Sequence, residues 1–373
     1  MALMKNIGIV SYNINCNFTN YGSALQSWAL STVVGRMGYR PVLVDYCPKS
    51  HLKSDPLNPF GNMWDKDTES RRMCELTLPA IRENCTKFEK FYTERFNRTA
   101  KKYTAENFDE IVVDEGVERF VCGSDTIFCI DEFKCLEEAY FANCKCMRGK
   151  SVAYAASFGD SHFTTETYSQ LNERLRNFKA IGLRENQWIP YCREHVANPV
   201  QKVTDPTLLL SRDDYECIAM PGRQCQKPYL LLYTRRYNRE MEEYAVSLAK
   251  RKGWKIVEIS LRATNTERGH IMRYDAGVEE FLSLVRDAEY VVTNSFHGLI
   301  FSVQYSRPFI VFSREQADSK IEEVLDLFGL RERLVKHGSE AVEDVVEYGN
   351  VHARISAARV ESLAFLRQEL EML

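Results

Sequence analysis

The sequence predicts an α/β protein in which two doubly wound domains face each other across a cleft, followed by a long C-terminal helix. Three observations predict this fold class. Short apolar runs typical of buried strands alternate with segments of helical periodicity. Prolines, a glycine and many polar residues interrupt that series between Asp205 and Pro228, which indicates a linker. The chain of 373 residues also exceeds what one core usually organises.

The first series of elements begins with a βαβ unit, which implies a parallel sheet with a right-handed crossover. It consists of the strand Lys5–Ser11, the helix Ala24–Met37, which Gly38 ends, and the strand Pro41–Asp45. Charged and aromatic residues with helical periodicity follow up to about Ala105. The remaining strands of this series are apolar runs at 119–125, 151–157, 180–184 and 201–206.

The second series starts with the strand Pro228–Thr234 and the helix Arg239–Lys252. It continues with alternating strands and helices at 254–259, 278–287, 290–292 and 308–312. The charged C-terminal segment predicts one long helix from heptad-like apolar positions at Val345, Ile355, Leu363 and Leu366. We therefore expect an N-terminal α/β domain at 1–215 with a helical insertion at about 50–105, a C-terminal α/β domain at 226–335, and the terminal helix at 340–373.

Composition and charge exclude several classes of partner. The formal net charge of −3 gives no electrostatic case for a nucleic acid or an anionic membrane surface. No apolar run approaches the ~20 residues that span a bilayer, and Lys5 and Asn6 lead into a strand where a signal peptide would be apolar. The twelve cysteines include no CxxC pair, which favours reduced thiols over a metal cluster near Cys144 and Cys146. We expect a cytoplasmic protein without a bound metal.

The stretch from Val291 to Val303 is the most informative in the chain. A short buried strand, Tyr290–Val292, is followed by a polar turn and then by apolar residues at helical spacing. Open α/β sheets bind ligands outside the carboxyl ends of their strands, and His297 falls at such an end, next to a helix N-terminus that favours an anion. Gly298 would let a ligand approach the backbone. A second interpretation, in which His297 only caps the helix or fills a pocket, stays open.

Polar side chains follow most of the predicted strands. Arginine, serine and amide groups dominate the set, which suits a phosphate or carboxylate ligand because the guanidinium fork matches both. Arg235 and Arg236 are expected to open a helix, where acidic side chains would be favoured, so their presence indicates a ligand. A nucleophile elbow, a P-loop and a dinucleotide fingerprint are missing. The set comprises Asn20, Tyr21, Gly22, Gln26, Ser124, Asp125, Ser157, Arg184, Glu185, Arg235, Arg236, Asn294, Ser295, His297 and Arg314.

Members of this set also have purely structural explanations. Asp125 follows a Gly-Ser pair and is compatible with a turn and a helix cap. Asn20 to Gly22 can form a turn on steric grounds alone. Arg184 can pair with a surface carboxylate, which is the usual fate of a single arginine. Asp205, which precedes a proline, is expected only to stop its strand.

A series of motifs runs through the chain in a fixed order: Asn20-Tyr-Gly-Ser-Ala-Leu-Gln26, Val121-Cys-Gly-Ser-Asp125, Ser151-Val-Ala-Tyr-Ala-Ala-Ser-Phe-Gly159, Ile181-Gly-Leu-Arg-Glu185, Thr204-Asp-Pro-Thr-Leu-Leu-Leu210, Val291-Val-Thr-Asn-Ser-Phe-His-Gly298 and Lys320-Ile-Glu-Glu-Val-Leu325. Their order and spacing resemble the polysaccharide pyruvyl transferase family over about residues 5–335. The resemblance implies two Rossmann-like domains in a GT-B-like arrangement. It also implies transfer of a pyruvate ketal from phosphoenolpyruvate to a sugar of a cell-surface polysaccharide or its precursor.

The chain departs from the family's pattern in three places. The Gly-Ser-Asp motif lacks its common Gln-Ile-Trp continuation. The late Asn-Ser-Arg motif reads Asp318-Ser319-Lys320 and so lacks the guanidinium. Ser295 stands where some members carry an arginine that is used on the donor's anionic groups. Donor binding would then depend on Arg184, Arg314 and Arg235.

The reaction that the resemblance implies protonates the methylene carbon of phosphoenolpyruvate and needs cations for its carboxylate and phosphate. We expect His297 to transfer the proton, with Arg184 and Asp125 also catalytic. The expected donor-binding residues are Arg235, Asn294, Ser295, Gly298 and Arg314. The expected acceptor-binding residues are Asn20, Tyr21, Gly22, Gln26 and Ser124. No cofactor or metal is expected, since phosphate leaves without one.

Two other functions stay open at this point. The same architecture hosts nucleotide-sugar glycosyltransferases, which turnover of a nucleoside diphosphate sugar would select. A non-catalytic member of the family would bind anionic glycans or join a polysaccharide-synthesis complex, and the departures at Ser295 and Lys320 keep that alternative open. A lipid-linked acceptor, with peripheral membrane contact, is compatible with the sequence. The acceptor sugar, the regiochemistry of the ketal and the oligomeric state do not follow from it.

Overall fold

Two parallel sheets of six strands each organise the computed structural model, which describes residues 4–12, 14–15, 18–58, 68–314, 318–339, 341–342 and 345–373. The first sheet contains β1 (Asn6–Val10), β2 (Arg40–Leu43), β3 (Phe120–Cys122), β4 (Ser151–Ala156), β5 (Phe178–Leu183) and β6 (Val200–Lys202), in the order β2-β1-β3-β4-β5-β6. The second contains β7 (Tyr229–Tyr233), β8 (Lys255–Ile259), β9 (Ile271–Met272), β10 (Tyr290–Thr293), β11 (Phe309–Phe312) and β12 (Leu334–Val335), in the order β9-β8-β7-β10-β11-β12. The second order is that of a Rossmann fold.

Helices flank both sheets. Those associated with the first half of the chain are α1 (Tyr21–Arg36), α2 (Thr68–Arg95), α3 (Ile111–Glu115), α4 (Ile130–Phe133), α5 (Thr165–Leu175), α6 (Ile189–His195) and α7 (Arg212–Glu216). The later ones are α8 (Arg239–Lys252), α9 (Val278–Arg286), α10 (Phe296–Gln304), α11 (Asp318–Phe328) and α12 (Tyr348–Glu371). The predicted fold class, two doubly wound domains with a long C-terminal helix, is confirmed.

In each sheet the strand order predicts a ligand-binding crevice beyond the carboxyl ends of the strands. In the first sheet β1 lies between β2 and β3, and in the second β7 lies between β8 and β10. The direction of winding reverses at each of these two points, and open α/β sheets bind their ligands there, beyond the carboxyl ends of the strands. The loops that follow β1, β3, β7 and β10, together with the helices that begin directly after the loops of β1 and β10, carry most of the polar residues that the sequence singled out.

A continuous hydrophobic core joins the two halves. One cluster of buried side chains contains residues from both sheets, among them Ile7 and Val291. At the junction the Tyr21 ring of α1 stacks on Phe281 of α9, with centroids 4.4 Å apart. The Tyr21 hydroxyl also donates to the carbonyl oxygen of Ala276 at 2.8 Å. The two sheets are therefore held in one relative position by shared packing.

The linker predicted between Asp205 and Pro228 is only partly correct. Residues 207–210 are buried in the core, and Tyr215 of α7 is fully buried beside them. The apolar run Leu208–Leu210 explains the difference, since three consecutive leucines have more to gain from burial than from exposure. Arg212, Asp213 and Cys217 are exposed, and the later part of this stretch is exposed at 221–223 and 226–228.

Two further expectations about helices need correction. Val345 is 88% exposed and precedes α12, so it is not a core position of the terminal helix. Arg235 and Arg236 lie in the loop after β7, because Asn238 caps α8 and the helix begins at Arg239. Residues 59–67 of the predicted insertion, and positions 340, 343 and 344 of the predicted terminal helix, lie outside the described residues.

Candidate functional site

A cavity of about 710 Å³ opens between the carboxyl ends of the two sheets. Its wall carries seven residues expected from the sequence, which are Asn20, Asp125, Arg184, Arg235, Ser295, His297 and Arg314. Arg236 and Lys320 add two further cations, and Asp131, Glu132 and Asp160 add carboxylates from the first half of the chain. Cations and carboxylates therefore share this space.

His297 lies in the first turn of α10, and its side chain is buried at the cavity wall. Ser295 caps the helix, since its hydroxyl accepts from the Gly298 backbone N–H at 3.2 Å. The Nε2 atom of His297 has no hydrogen-bond partner among the described residues. It lies 3.7 Å from Oδ2 of Asp205, which is too long for a hydrogen bond but close enough for electrostatic attraction. This nitrogen is thus available to a ligand.

Gly22 provides the space that the His297 ring occupies. A Cβ atom at residue 22 would lie 1.9 Å from the Nδ1 atom of His297, far inside van der Waals contact. Gly22 belongs to the first turn of α1, which Asn20 caps by accepting from the Gly22 backbone N–H at 3.0 Å. The N-terminal turns of α1 and α10 therefore meet directly. Gly22 thus leaves room for the His297 ring and does not itself line the cavity.

Arg184 is buried among carboxylates at the end of β5. Its Nε donates to Oε1 of Glu185 at 3.0 Å and its Nη1 to Oδ2 of Asp205 at 3.1 Å. Asp125 lies 3.8 Å from Nη1, and the guanidinium stands 4.9 Å from the centroid of the Phe296 ring. Burial opposes its charge, but the three carboxylates raise the pKa of Arg184 above its usual value. The Nη2 atom alone has no hydrogen-bond partner among the described residues.

This geometry differs from the expectation that the Arg184 guanidinium is free to bind an anion. The sequence predicted a guanidinium free to clamp an anion, with a surface ion pair to Glu185 as the alternative. The side chain does contact Glu185, but in the interior, and only one of its three nitrogens is unoccupied. Arg184 therefore holds the site together and still offers one donor.

Two buried aspartates keep their charge because of these cations. Burial would raise the pKa of Asp205, but contact with His297 and Arg184 lowers it well below its usual value. The pKa of Asp125 is also lowered, since Arg184, Lys320 and His297 outweigh the opposing effect of burial. The Ser23 hydroxyl donates to Oδ2 of Asp125 at 2.8 Å. Both side chains are ionised at neutral pH, next to the histidine.

Three arginines crowd the other side of the cavity. Burial, together with repulsion from Arg235 and Arg236, lowers the pKa of Arg314 to about 10. The Nε atom of Arg314 has no hydrogen-bond partner among the described residues. Neither Arg235 nor Arg314 forms an ion pair with a carboxylate of the described part of the chain. A group of cations that repel one another is stabilised by a bound anion, so this wall is a candidate anion site.

Besides Gly22, five predicted binding residues are placed behind the wall. Tyr21 belongs to the junction between the two halves. Gln26 is fully buried, and its side chain accepts from the Ser124 backbone N–H at 2.9 Å and donates to the Ser11 hydroxyl at 2.6 Å. Gln26 and Ser124 thus fix the turn that presents Asp125, and they do not line the cavity. Their expected contact with the acceptor is not supported by the geometry.

Asn294 and Gly298 are the other two predicted binding residues that lie behind the cavity wall. The Asn294 side chain accepts from the Arg235 backbone N–H at 2.8 Å and donates to the Arg236 carbonyl at 2.6 Å, so it shapes the arginine loop. A Cβ atom at Gly298 would lie 2.6 Å from Oγ1 of Thr293, so this glycine permits close packing of α10 against β10. Neither residue reaches the cavity, and the expected close approach of a ligand to Gly298 is not met.

Asp205 is the main functional residue that the sequence argument missed. It was expected to stop a strand, yet its side chain contacts both Arg184 and His297. It also accepts from the backbone N–H and the hydroxyl of Thr207, at 3.0 and 2.6 Å. The sequence did carry a signal for this role, because Asp205 lies in the Thr-Asp-Pro motif between two apolar segments. A carboxylate in such a position is buried only when a cation or hydrogen-bond donor pairs with it.

The described residues contain neither a candidate metal site nor a candidate membrane-spanning helix. No group of three or more His, Cys, Asp or Glu side chains in the described part of the chain is arranged to hold a metal ion. Within the same residues, no helix combines the length and apolar character that crossing a membrane requires. The eleven described cysteines are all free, and Cys129 lies at the cavity wall.

Comparison with known families decides the class of this protein. The family model described as polysaccharide pyruvyl transferase matches residues 20–316, which is most of the chain. The chain belongs to the polysaccharide pyruvyl transferase family. For this pyruvyl transferase family member, the match includes the loops that carry Asn20, Asp125, Arg184, His297 and Arg314. No curated protein gives a significant match.

Solved structures agree on the fold of this family member. A putative UDP-N-acetylglucosamine 2-epimerase from Listeria monocytogenes is 12% identical, with a TM-score of 0.53, over 99% of this chain and 91% of that one. MnaA of S. aureus, solved with UDP, is 11% identical, with a TM-score of 0.50, over 98% of this chain and 91% of that one. These likenesses show a GT-B-like fold and, at such low identity, the fold alone.

Proposed function

We propose that this protein transfers a pyruvate ketal from phosphoenolpyruvate to a saccharide, with His297 as the proton-transfer group. The observation that carries the proposal is the crowded arginine wall, in which Arg235 and Arg314 have no carboxylate partner beside a histidine with a free Nε2. Phosphoenolpyruvate carries a phosphate and a carboxylate on the same carbon and so matches a site with several cations. Family membership supports the same class of reaction.

The donor would lie against the arginine wall. Arg235, Arg236 and Arg314 are contributed by the loops after β7 and β11, and their charges suit the phosphate. The free Nη2 of Arg184, from the first half of the chain, and the Lys320 amine, from the first turn of α11, suit the carboxylate. Cations fixed before the reaction stabilise the charge that develops as the phosphate bond breaks. Since these contacts are ionic, donor affinity falls with added salt.

His297 is suited to move a proton because of its neighbours. Asp205 lies on the side of Nε2 and keeps its charge, so it stabilises the protonated ring. Once the methylene carbon has taken a proton from an acid in the site, the central carbon of the donor is electrophilic. The sugar hydroxyl that attacks this carbon must lose its proton, and an imidazole accepts it at neutral pH. Phosphate then leaves, and a second hydroxyl closes the cyclic ketal. Asp205 thus assists the proton transfer of His297, and Arg184 holds Asp205 in place.

The acceptor would lie against the first half of the chain. Asn20 and Asp125 line this side of the cavity, and Tyr12, Glu132 and Asp160 continue it. Carboxylate and amide oxygens accept hydrogen bonds from sugar hydroxyls, and a tyrosine ring packs against the apolar face of a sugar. We propose a saccharide acceptor, free or lipid-linked, and a cytoplasmic site of action, which the free cysteines support.

Calorimetry tests the donor directly. We expect phosphoenolpyruvate to bind and Arg314→Ala to weaken it by at least ~10-fold, because one charge-assisted contact contributes about 1.5–3 kcal/mol. Arg331→Ala is the matched control, since Arg331 pairs with Glu322 and Asp326 away from the cavity. Binding of a uridine diphosphate sugar, with none of phosphoenolpyruvate, would select the glycosyltransferase alternative. Binding of phosphoenolpyruvate without turnover on any saccharide would select a non-catalytic family member.

A further inference from the structure

Lys320 is a cation of the cavity that has no partner. It lies in the first turn of α11, is half-buried, and forms no hydrogen bond or ion pair with any described residue. Its side chain borders the main cavity and also a second cavity of about 360 Å³ on the far side of Arg184 and Phe296. Even a half-buried ammonium without a carboxylate partner loses part of its hydration, so its retention here calls for a function.

The position of Lys320 is fixed by a contact one turn further along α11. Glu323 accepts from the Asn186 backbone N–H at 2.9 Å and from the Lys202 ammonium, both of which belong to the first half of the chain. Residues three apart share a helix face, so this bridge directs Lys320 toward the same side. The bridge therefore holds the amine at the boundary between the two sheets, where donor and acceptor would meet.

The charges around Lys320 make its proton easier to release. Burial has the largest effect, and the guanidinium groups of Arg184 and Arg314 act in the same direction, so the pKa of Lys320 is lowered despite Asp125 and Glu185. Charged groups surround it on both sides. On the side of the main cavity these include Asp125, Glu132, Arg184, Glu185, Arg235, Arg236, His297 and Arg314, and on the side of the second cavity Lys202, Asp205, Glu361 and, on its own helix, Glu323 and Asp326. Arg184 forms ion pairs with three carboxylates and keeps its proton. Lys320 forms no such ion pair with the described residues, so its proton is released more easily.

We propose that Lys320 is a second catalytic group, which protonates the methylene carbon of the enol phosphate and later receives a proton from the acceptor. The inference depends on the proposed function. An arginine, which the related motif carries at this position, is able to hold an anion but does not release a proton at neutral pH. A lysine performs both tasks, and this chain has the lysine.

The protons and electrons of the cycle balance when Lys320 and His297 share the transfers. The π electrons of the donor take a proton from the Lys320 ammonium, which becomes a neutral amine, and the central carbon becomes electrophilic. The first sugar hydroxyl bonds to that carbon and its proton passes to His297. The carbon–oxygen bond to phosphate breaks, phosphate takes the electron pair, and His297 returns its proton to the phosphate. The second hydroxyl then bonds to the same carbon, and its proton passes to the Lys320 amine, which restores both groups.

Lys320→Arg separates the two tasks of the side chain. We expect the variant to bind phosphoenolpyruvate within ~3-fold of the unaltered protein in calorimetry, because the charge is kept. We expect its kcat to fall by at least ~10²-fold, which is a typical contribution of a positioned acid. Lys179→Arg is the matched control, since Lys179 is exposed on β5 and away from the cavity. The alkaline limb of the kcat profile, where Lys320 loses its proton, should disappear in Lys320→Arg.

The outcomes distinguish this inference from the proposed function. Turnover of Lys320→Arg equal to that of the unaltered protein would overturn the inference, because a fixed cation would then suffice. Loss of phosphoenolpyruvate binding in Lys320→Arg would overturn it as well, since anion binding would explain the residue. Lys320→Gln, checked for its melting temperature, provides a second variant if the arginine does not fit. Absence of phosphate release by the unaltered protein would instead contradict the proposed function itself.

Discussion

Single side chains decide the chemistry of this cavity, and their contacts come from distant parts of the chain. His297 meets Gly22 of α1 and Asp205 beyond β6, and Arg184 meets the same aspartate. The sequence located His297 because a histidine between an apolar strand and an apolar helix stands at a strand end. It did not identify the role of Asp205, because a buried carboxylate and its distant partners leave no periodic signal. Contacts between side chains that are far apart in the sequence become visible only in the structure.

Gly22→Ala tests whether the position of His297 matters. A methyl group at 1.9 Å from Nδ1 must displace the ring or the first turn of α1. We expect kcat to fall by ~10²-fold, as for other displacements of about 1 Å, and stability to fall by about 1–3 kcal/mol from overpacking. Steady-state kinetics and urea unfolding measure the two effects.

Gly35→Ala is the matched control on the same helix. A Cβ atom there would lie 3.9 Å from Cδ of Pro41, which is ordinary contact. We expect unchanged kcat and a gain of about 0.5–1 kcal/mol, because alanine suits a helix better than glycine. If Gly22→Ala were as active as Gly35→Ala, the ring of His297 would not need its present position.

Arg184→Ala should reduce both stability and activity. The change leaves Asp205, Glu185 and Asp125 without their buried cation, and breaking such a pair from one side costs about 3–5 kcal/mol. Arg184→Lys keeps the charge but not the two-sided geometry, so we expect a folded variant with lowered kcat/KM. Urea unfolding and donor kinetics separate the two roles. A variant of reduced stability with unaltered donor KM and kcat would make Arg184 purely structural.

At the level of elements, the sequence was most reliable where a strand ends in a helix. The predicted strand before His297 and the helix after it agree with β10 and α10, and the predicted helix Arg239–Lys252 has the bounds of α8. Hydrophobic periodicity gave wrong predictions of burial where the buried positions of a segment do not follow a regular period. Leu208–Leu210 are all buried although they lie in a predicted linker, and Val345 is exposed although it continues a heptad pattern. Neither outcome is visible without the neighbouring helix or sheet.

The contact of α1 and α2 with the second half offers a test at this level. Tyr21 and Asn84 both donate to the carbonyl oxygen of Ala276, at 2.8 and 2.5 Å. Tyr21→Phe or Asn84→Ala alone leaves one donor, so we expect each to cost about 1 kcal/mol of unfolding free energy. The double variant leaves a buried carbonyl unpaired, and we expect its cost to exceed the sum of the single changes. Urea unfolding measures the cycle, and strict additivity would contradict a shared acceptor.

Over the whole molecule, the two sheets make the site together. The first contributes Asn20, Asp125 and Arg184, and the second contributes the arginine wall and His297. Composition and motif order predicted this division between two doubly wound domains. They did not predict the continuous core across the junction, because apolar residues of α1 and α9 look alike whether they face their own sheet or another element. A preformed cavity follows from that shared core.

Acceptor-dependent release of phosphate from phosphoenolpyruvate tests the central claim most directly. The assay would use candidate galactosides and mannosides, with detection of the ketal on the saccharide by mass spectrometry. The account predicts release by the unaltered protein, and a folded His297→Gln variant slower by ~10²–10⁴-fold, because an amide does not transfer a proton. Equal rates in the two proteins, with ketal formed by both, would contradict the role of His297. Transfer of sugar from a nucleoside diphosphate sugar, with phosphoenolpyruvate untouched, would contradict the account as a whole.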